Sequence, residues 1–263
     1  MDKKYSIGYA LCGGGAKGFA HLGALKALEE RKILPEIIAG TSAGALAGVL
    51  YADGFAPEEI ADLFRGHKMK DFAGISLFSG GFLKPTGVAK MLRDNLHARR
   101  FEELKIPFRA IATDWETAQV KVFSEGDDLV EAVIASCSVP MVFEPIEIHG
   151  VQYVDGGVLK NFPVSVIREE TGCVIGINLM KLQEFTRAKS IKDSAFRYYD
   201  IISKLNVYED VRHTDILIDM DGLHNYSMFD LKSIDSIMEL GYRRATEVLD
   251  SDETKRKLPE YMI

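Results

Sequence analysis

Apolar and polar residues alternate along this chain in two kinds of block. Short apolar runs bounded by turn formers read as buried strands, and stretches with apolar residues three or four apart read as amphipathic helices. Strands are predicted over 5–11, 36–39, 107–113, 120–123, 173–179 and 215–220, with a hairpin of 145–148 and 151–154 turning at His149-Gly150. Helices are predicted over 18–31, 43–51, 86–96, 129–135, 163–170, 194–211 and 233–249. Pro57 opens another helix in its first turn, where Glu58 and Glu59 suit the positive end. Buried strands alternating with helices predict an α/β fold, a three-layer sandwich with a mostly parallel central sheet and helices on both faces. One domain over 1–263 is expected, its part from about 185 onward adding mostly helical cover.

Two stretches depart from a plain layered reading. Residues 72–83 (FAGISLFSGGFL) are apolar yet broken by glycine and aperiodic, so they read as a loop or cap. The helix over 194–211 carries Phe196, Tyr199, Ile202, Leu205 and Tyr208 at helical spacing, a stripe that reads as core.

Composition narrows the class. With 263 residues, 47% hydrophobic and 27% charged, a packed core is expected. A net charge of -7 argues against nucleic acid as a partner and against purely electrostatic adhesion to anionic membranes. Cys12, Cys137 and Cys173 are dispersed without a CxxC and read as small buried apolar residues rather than disulfide or zinc ligands. The first apolar stretch is short, broken by Gly8, and has Leu11 before Cys12, so it reads as neither a signal peptide nor a lipidated cysteine. A reducing cytoplasm is therefore expected, and no run approaches the roughly 20 apolar residues of a membrane span.

The candidate chemistry begins in the loop Cys12–Gly18, CGGGAKG. Gly13-x-Gly15-x-x-Gly18 fits a dinucleotide fingerprint, but the second strand ends in Gly-Thr-Ser instead of the acid that would hold a ribose. A Walker loop fails because Gly18 is followed by Phe19 and Lys17 precedes it. What remains is a loop whose N–H groups, at a helix start, can hold an anion. Downstream, Gly40-Thr-Ser42-Ala43-Gly44 lies between a strand and a helix, the setting of a nucleophile elbow, although a serine N-cap explains the residue type as well.

A serine hydroxyl needs a base. Among six histidines, His224 follows a late strand and is the candidate for a Ser–His arrangement; His21 and His149 read as structural. The rival base is Asp155 in Val154-Asp155-Gly156-Gly157, whose Asp-Gly pair also reads as an ordinary turn.

Taken together, GGGAKGFAHLGAL (13–25), GTSAG (40–44) and VDGG (154–157), in that order, resemble the patatin-like phospholipases. Ala-Thr-Asp114, the run Ala-Ser-Cys-Ser-Val-Pro140, and Asn161 with Pro163 fit the same family, and the likeness covers roughly the first 180 residues. The resemblance implies a Ser–Asp dyad acting on acyl esters of lipids without a metal or other cofactor. It makes Ser42 the nucleophile and Asp155 the base, with oxyanion N–H groups from Gly13, Gly14 and Gly15, joined by Ala43. Lys17, Gly18, Gly40, Gly44, Gly156 and Gly157 support those motifs. Two positions depart from the family pattern: Lys17 stands where arginine is more usual, and the last motif is DGG where DGA is frequent. Partners are then a lipid or acyl ester, in transient contact with a membrane or micelle surface. Phe72, Ile75, Leu77, Phe78, Phe82 and Leu83 become a candidate lid or acyl-chain wall. A Ser–His carboxylesterase, a nucleotide-binding module and a non-catalytic relative stand as alternatives.

Overall fold

In the computed structural model, described for residues 3–72, 74–75, 83–180, 190–228 and 230–258, the strands assemble into an eight-stranded sheet. It contains β1 (Tyr5–Leu11), β2 (Ile37–Thr41), β5 (Phe108–Asp114), β6 (Gln119–Phe123), β7 (Ile146–Ile148), β8 (Val151–Asp155), β9 (Thr171–Asn178) and β10 (Ile216–Asp219). The order is β10-β9-β1-β2-β5-β8-β7, with β6 on β5. The first four of those pairings are parallel, and β5–β6, β5–β8 and β8–β7 are antiparallel. The sheet is therefore mostly parallel with an antiparallel flank. β1 from Ile7 to Leu11 and β2 from Ile37 to Thr41 are buried at every residue because both faces are covered, the mark of a central parallel strand.

From β1 the chain moves outward through α1 (Phe19–Glu30) to β2, and through α2 (Ala43–Asp53), α3 (Pro57–Asp62) and α4 (Thr86–Asn95) to β5. It later returns to the other side of β1 with β9 and β10. Right-handed crossovers in the two directions put helices on opposite faces. One helix group joins α1, α2, α3, α5 (Leu129–Ser136) and α9 (Ile234–Leu249); another joins α6 (Val164–Arg168), α7 (Ile191–Leu205) and α8 (Val207–Val211). β3 (Gly74–Ile75) and β4 (Leu83–Lys84) form a small separate ladder, and α10 (Asp252–Lys257), not anticipated from the pattern, ends the described chain.

The helix expected over 194–211 is two helices, broken at Asn206. Its apolar stripe is not the core that was expected: Tyr199 is buried and Phe196 half-buried, but Ile202, Leu205 and Tyr208 are exposed. The side chain of Asn206 explains the break. Its Oδ1 accepts the Asn161 N–H at 2.8 Å and its Nδ2 donates to the Gly157 carbonyl at 3.0 Å. The helix is thus held by a polar clamp on the loop after β8 and by one buried edge, not by the whole apolar stripe.

Register, more than any other feature, positions the site. Thr41 at the end of β2 lies opposite Ile111 of β5, and Asp155 at the end of β8 lies opposite Ala112. Successive residues of β5 therefore align the two strand ends. Leu11, at the end of β1, lies opposite Gly40 of β2, which brings the glycine loop to the same carboxyl edge of the sheet.

Candidate active site

Ser42 follows β2 directly and starts α2 with φ 55 and ψ -121, a left-handed conformation that a serine adopts only under constraint. The constraint comes from α5. The Ser42 N–H donates to the Ser136 hydroxyl at 2.9 Å, and the Cys137 thiol donates to the Ser42 carbonyl at 3.3 Å. Close packing completes the turn, since a side chain at Gly44 would run into the carbonyls of Leu11 and Cys12.

The Ser42 hydroxyl donates to Asp155 Oδ2 at 2.6 Å. Asp155 is wholly buried, and the Gly157 N–H donates to its other oxygen, Oδ1, at 2.7 Å. Burial pushes the Asp155 carboxyl up to about 6, against the pull of hydrogen bonds from Ser42 and the Gly157 N–H and of the nearby Tyr199 hydroxyl. A carboxylate raised that far is a competent proton acceptor near neutral pH. Sequence reasoning reached both members of this pair.

The glycine loop divides its labour. The Gly13 N–H donates to the Asn161 carbonyl at 3.1 Å, and the Ala16 N–H to the Met228 carbonyl at 2.8 Å. Gly13, grouped with the oxyanion donors by resemblance, thus has its N–H engaged inside the fold. Among the described residues the N–H groups of Gly14, Gly15 and Ala43 take no acceptor, and Gly15 and Ala43 line the same pocket as Ser42. Gly15 has φ +60 and its bare face abuts the Met228 carbonyl, so both conformation and space demand glycine there. Lys17 is half-buried beside α7, its ammonium depressed by burial and by Lys204, and favoured by Asp200.

The pocket at Ser42 is almost wholly apolar, walled by residues such as Leu22, Leu46, Ala47, Phe64, Val139 and Phe143. Phe72 joins this wall, packed on Phe64 and His67. Leu83 packs against the cluster of Val139, Phe143 and Tyr199, the first two of which wall the pocket. Of the other candidate lid residues, Leu77, Phe78, Phe82 and the side chain of Ile75 lie outside the described residues.

The histidine alternative does not assemble. His224 is exposed on the turn Leu223–Asn225, whereas the serine hydroxyl bonds to Asp155. His21 is buried, bonds through Nε2 to the Cys12 carbonyl at 2.8 Å, and is lowered to about 4 by burial, so it is a neutral structural group. Sequence reasoning missed the supporting roles of Ser136, Asn206 and Tyr199. Ser136 had a signal in the run Ala-Ser-Cys-Ser-Val-Pro140; Asn206, inside an amphipathic pattern, had none.

Chemically, a serine hydroxyl bonded to a buried carboxylate, beside uncommitted N–H groups and an apolar pocket, is the set required for acyl transfer. The family model of patatin-like phospholipases matches residues 9–167. A lysophospholipase, NTE1 of Mycosarcoma maydis, is 26% identical over 97% of this chain, but this chain spans only 15% of that relative. The uncharacterized protein YqhO of Bacillus subtilis is 31% identical over 76% of this chain and 80% of its own length. Among solved structures, VipD from Legionella pneumophila superposes with a TM-score of 0.59 over 94% of this chain and 67% of its own, at 15% identity, a likeness of fold. The matched motifs include both the glycine loop and the serine elbow, and the match extends over more than half of the sequence: the chain belongs to the patatin-like phospholipase family.

Proposed function

We propose that this protein hydrolyses carboxylic esters of lipids through a Ser42–Asp155 dyad. The observation that carries the reading is the 2.6 Å hydrogen bond from the Ser42 hydroxyl to a buried carboxylate, made at the wall of an apolar pocket. Family membership supports the substrate class, and the name of the fungal relative supports a lysophospholipid among the esters to be tried first.

In the proposed reaction the acyl chain lies in the apolar pocket and its carbonyl carbon faces Ser42 Oγ. Asp155 accepts the hydroxyl proton as Oγ bonds to that carbon. Negative charge gathers on the carbonyl oxygen, where the N–H groups of Gly14, Gly15 and Ala43 serve as donors. Preplaced donors of this kind contribute about 3–4 kcal/mol each to the barrier reduction. The tetrahedral intermediate collapses, the alcohol leaves with the proton held by Asp155, and an acyl-serine remains. Water then attacks the acyl carbon with Asp155 again as base, restoring the serine and releasing the fatty acid.

The apolar pocket also supports lipid access without a basic surface. Among the described residues no helix is long and apolar enough to cross a membrane, and transient contact with a micelle or bilayer surface is part of this reading. So is a cytoplasmic location, which rests on the dispersed cysteines.

The test is hydrolysis of a lysophospholipid and of p-nitrophenyl acyl esters by the purified chain. Fatty acid release by the wild type, and its loss in Ser42→Ala, is expected. Equal release by both proteins would defeat the proposal.

A further inference from the structure

The DGG motif has glycine at 157, where the family frequently has alanine, and the packing around that position gives the substitution a consequence. A Cβ on Gly157 would lie 2.6 Å from the Tyr199 hydroxyl oxygen, 2.9 Å from Asp155 Oδ1 and 2.9 Å from Asn161 Oδ1. Three polar groups thus converge on the bare face of one glycine. A methyl there would collide with all three, and the tyrosine hydroxyl would give way first because it ends a side chain from another element.

Tyr199 is buried on α7, whose course beside Gly156–Val158 is fixed by the Asn206 clamp. Its hydroxyl sits at the same bare face of Gly157 as Asp155 Oδ1. We propose that Tyr199 is a positioning residue for the base: its hydroxyl takes the place a Gly157 side chain would fill, donates to Asp155, and holds the carboxylate toward Ser42. This deepens the Ser42–Asp155 reading and rests on it. The family motif alone does not supply the tyrosine; the missing methyl admits it.

Burial, which keeps the Asp155 proton on, is countered by three donors: Ser42, the Gly157 N–H and Tyr199. The other titratable groups nearby are Cys137, whose thiol is pushed up by burial and by Asp155, and Asp200, which acts on Tyr199. Asn161, with both polar side-chain atoms unbonded, faces the same notch. Of these, Tyr199 is the donor reached from a different helix, and removing its hydroxyl leaves the rest of the notch intact.

The experiment is the pH dependence of kcat/KM for a soluble acyl ester, measured on the wild type, Tyr199→Phe, Gly157→Ala and Asp155→Ala. Removing the hydroxyl withdraws a donor from the charged carboxylate, so the acid limb should move upward by about one pH unit in Tyr199→Phe. KM should change little, and a thermal melt checks that the fold persists. Gly157→Ala should displace the hydroxyl and shift the limb in the same direction, which keeps the test open should the phenylalanine variant not fold. An unmoved limb in folded variants would overturn the role of Tyr199. A wild type without activity, or an active Asp155→Ala, would instead overturn the dyad on which it rests.

Discussion

Ser42 and Asp155 stand 113 residues apart in sequence and meet at 2.6 Å because β5 holds both of their strands. β2 delivers Ser42 one residue past its pairing with Ile111, and β8 delivers Asp155 opposite Ala112. One strand arrives parallel and the other antiparallel, so their ends meet instead of passing. The contact is thus a property of sheet register as much as of the residues that form it.

The titration of Asp155 should govern the rate. With the carboxyl raised to about 6, kcat/KM should climb through that pH and level off above it, since only the ionised form accepts a proton. Stopped assays with a soluble ester across pH 4.5 to 8.5 (roughly 4 units spanning the limb) measure this. A profile flat across the range, or a limb near the ordinary 3.8 of aspartate, would contradict it.

The same burial should make the dyad a burden on stability. The unfolded carboxyl titrates near 3.8 and the folded one near about 6, so between those values the folded state holds a proton that the unfolded state has lost. Wild-type stability should therefore fall as pH rises through this window and stay lower above it. Asp155→Asn removes the buried charge and should be inactive yet more stable at pH 7, by about 1–3 kcal/mol. Urea unfolding of both proteins at pH 4, at the foot of the window, and at pH 7, about 1 unit above it, should show the difference mainly at the higher pH.

Gly15→Ala should damage chemistry more than binding. Its methyl would press on the Met228 carbonyl from a backbone at φ +60, and relief turns the Gly15 N–H away from the developing charge. Loss of one such donor lowers kcat by about 100- to 1,000-fold. Steady-state kinetics with KM near the wild-type value is the expected result.

Ala47→Phe should separate substrates by length. Ala47 lines the apolar pocket, and a phenyl ring there would fill space that a long acyl chain needs. Each buried methylene contributes about 0.8 kcal/mol, so kcat/KM for a long-chain ester should fall at least tenfold while an acetyl ester is nearly unaffected. Parallel loss on both esters would mean that the pocket does not take the chain.

Much of this was legible in the sequence for identifiable reasons. β1, α1, α4, α5 and the hairpin of β7 and β8 follow local patterns, and their observed bounds lie within a residue or two of those expected. The glycine loop, Ser42 and Asp155 were legible because each motif needs a particular residue at a strand end. What local pattern could not supply is contact across the fold. Nothing in GGGAKG says that the Gly13 N–H is spent on Asn161. An apolar stripe at helical spacing also does not reveal that Asn206 will break the helix and leave Ile202 and Leu205 exposed. The tyrosine at Asp155 was hidden in that same stripe, where it looked like one more core residue.

The central claim is that Asp155 activates Ser42, and covalent labelling tests it most directly. A fluorophosphonate probe reports nucleophilicity of the serine without requiring the natural substrate. At pH 7.5, about 1.5 units above the Asp155 titration, the wild type should be labelled on the peptide containing Ser42. Labelling should be abolished in Ser42→Ala and slowed at least a hundredfold in folded Asp155→Ala. Labelling of Asp155→Ala at the wild-type rate, or a wild-type adduct on any residue other than Ser42, would contradict the account.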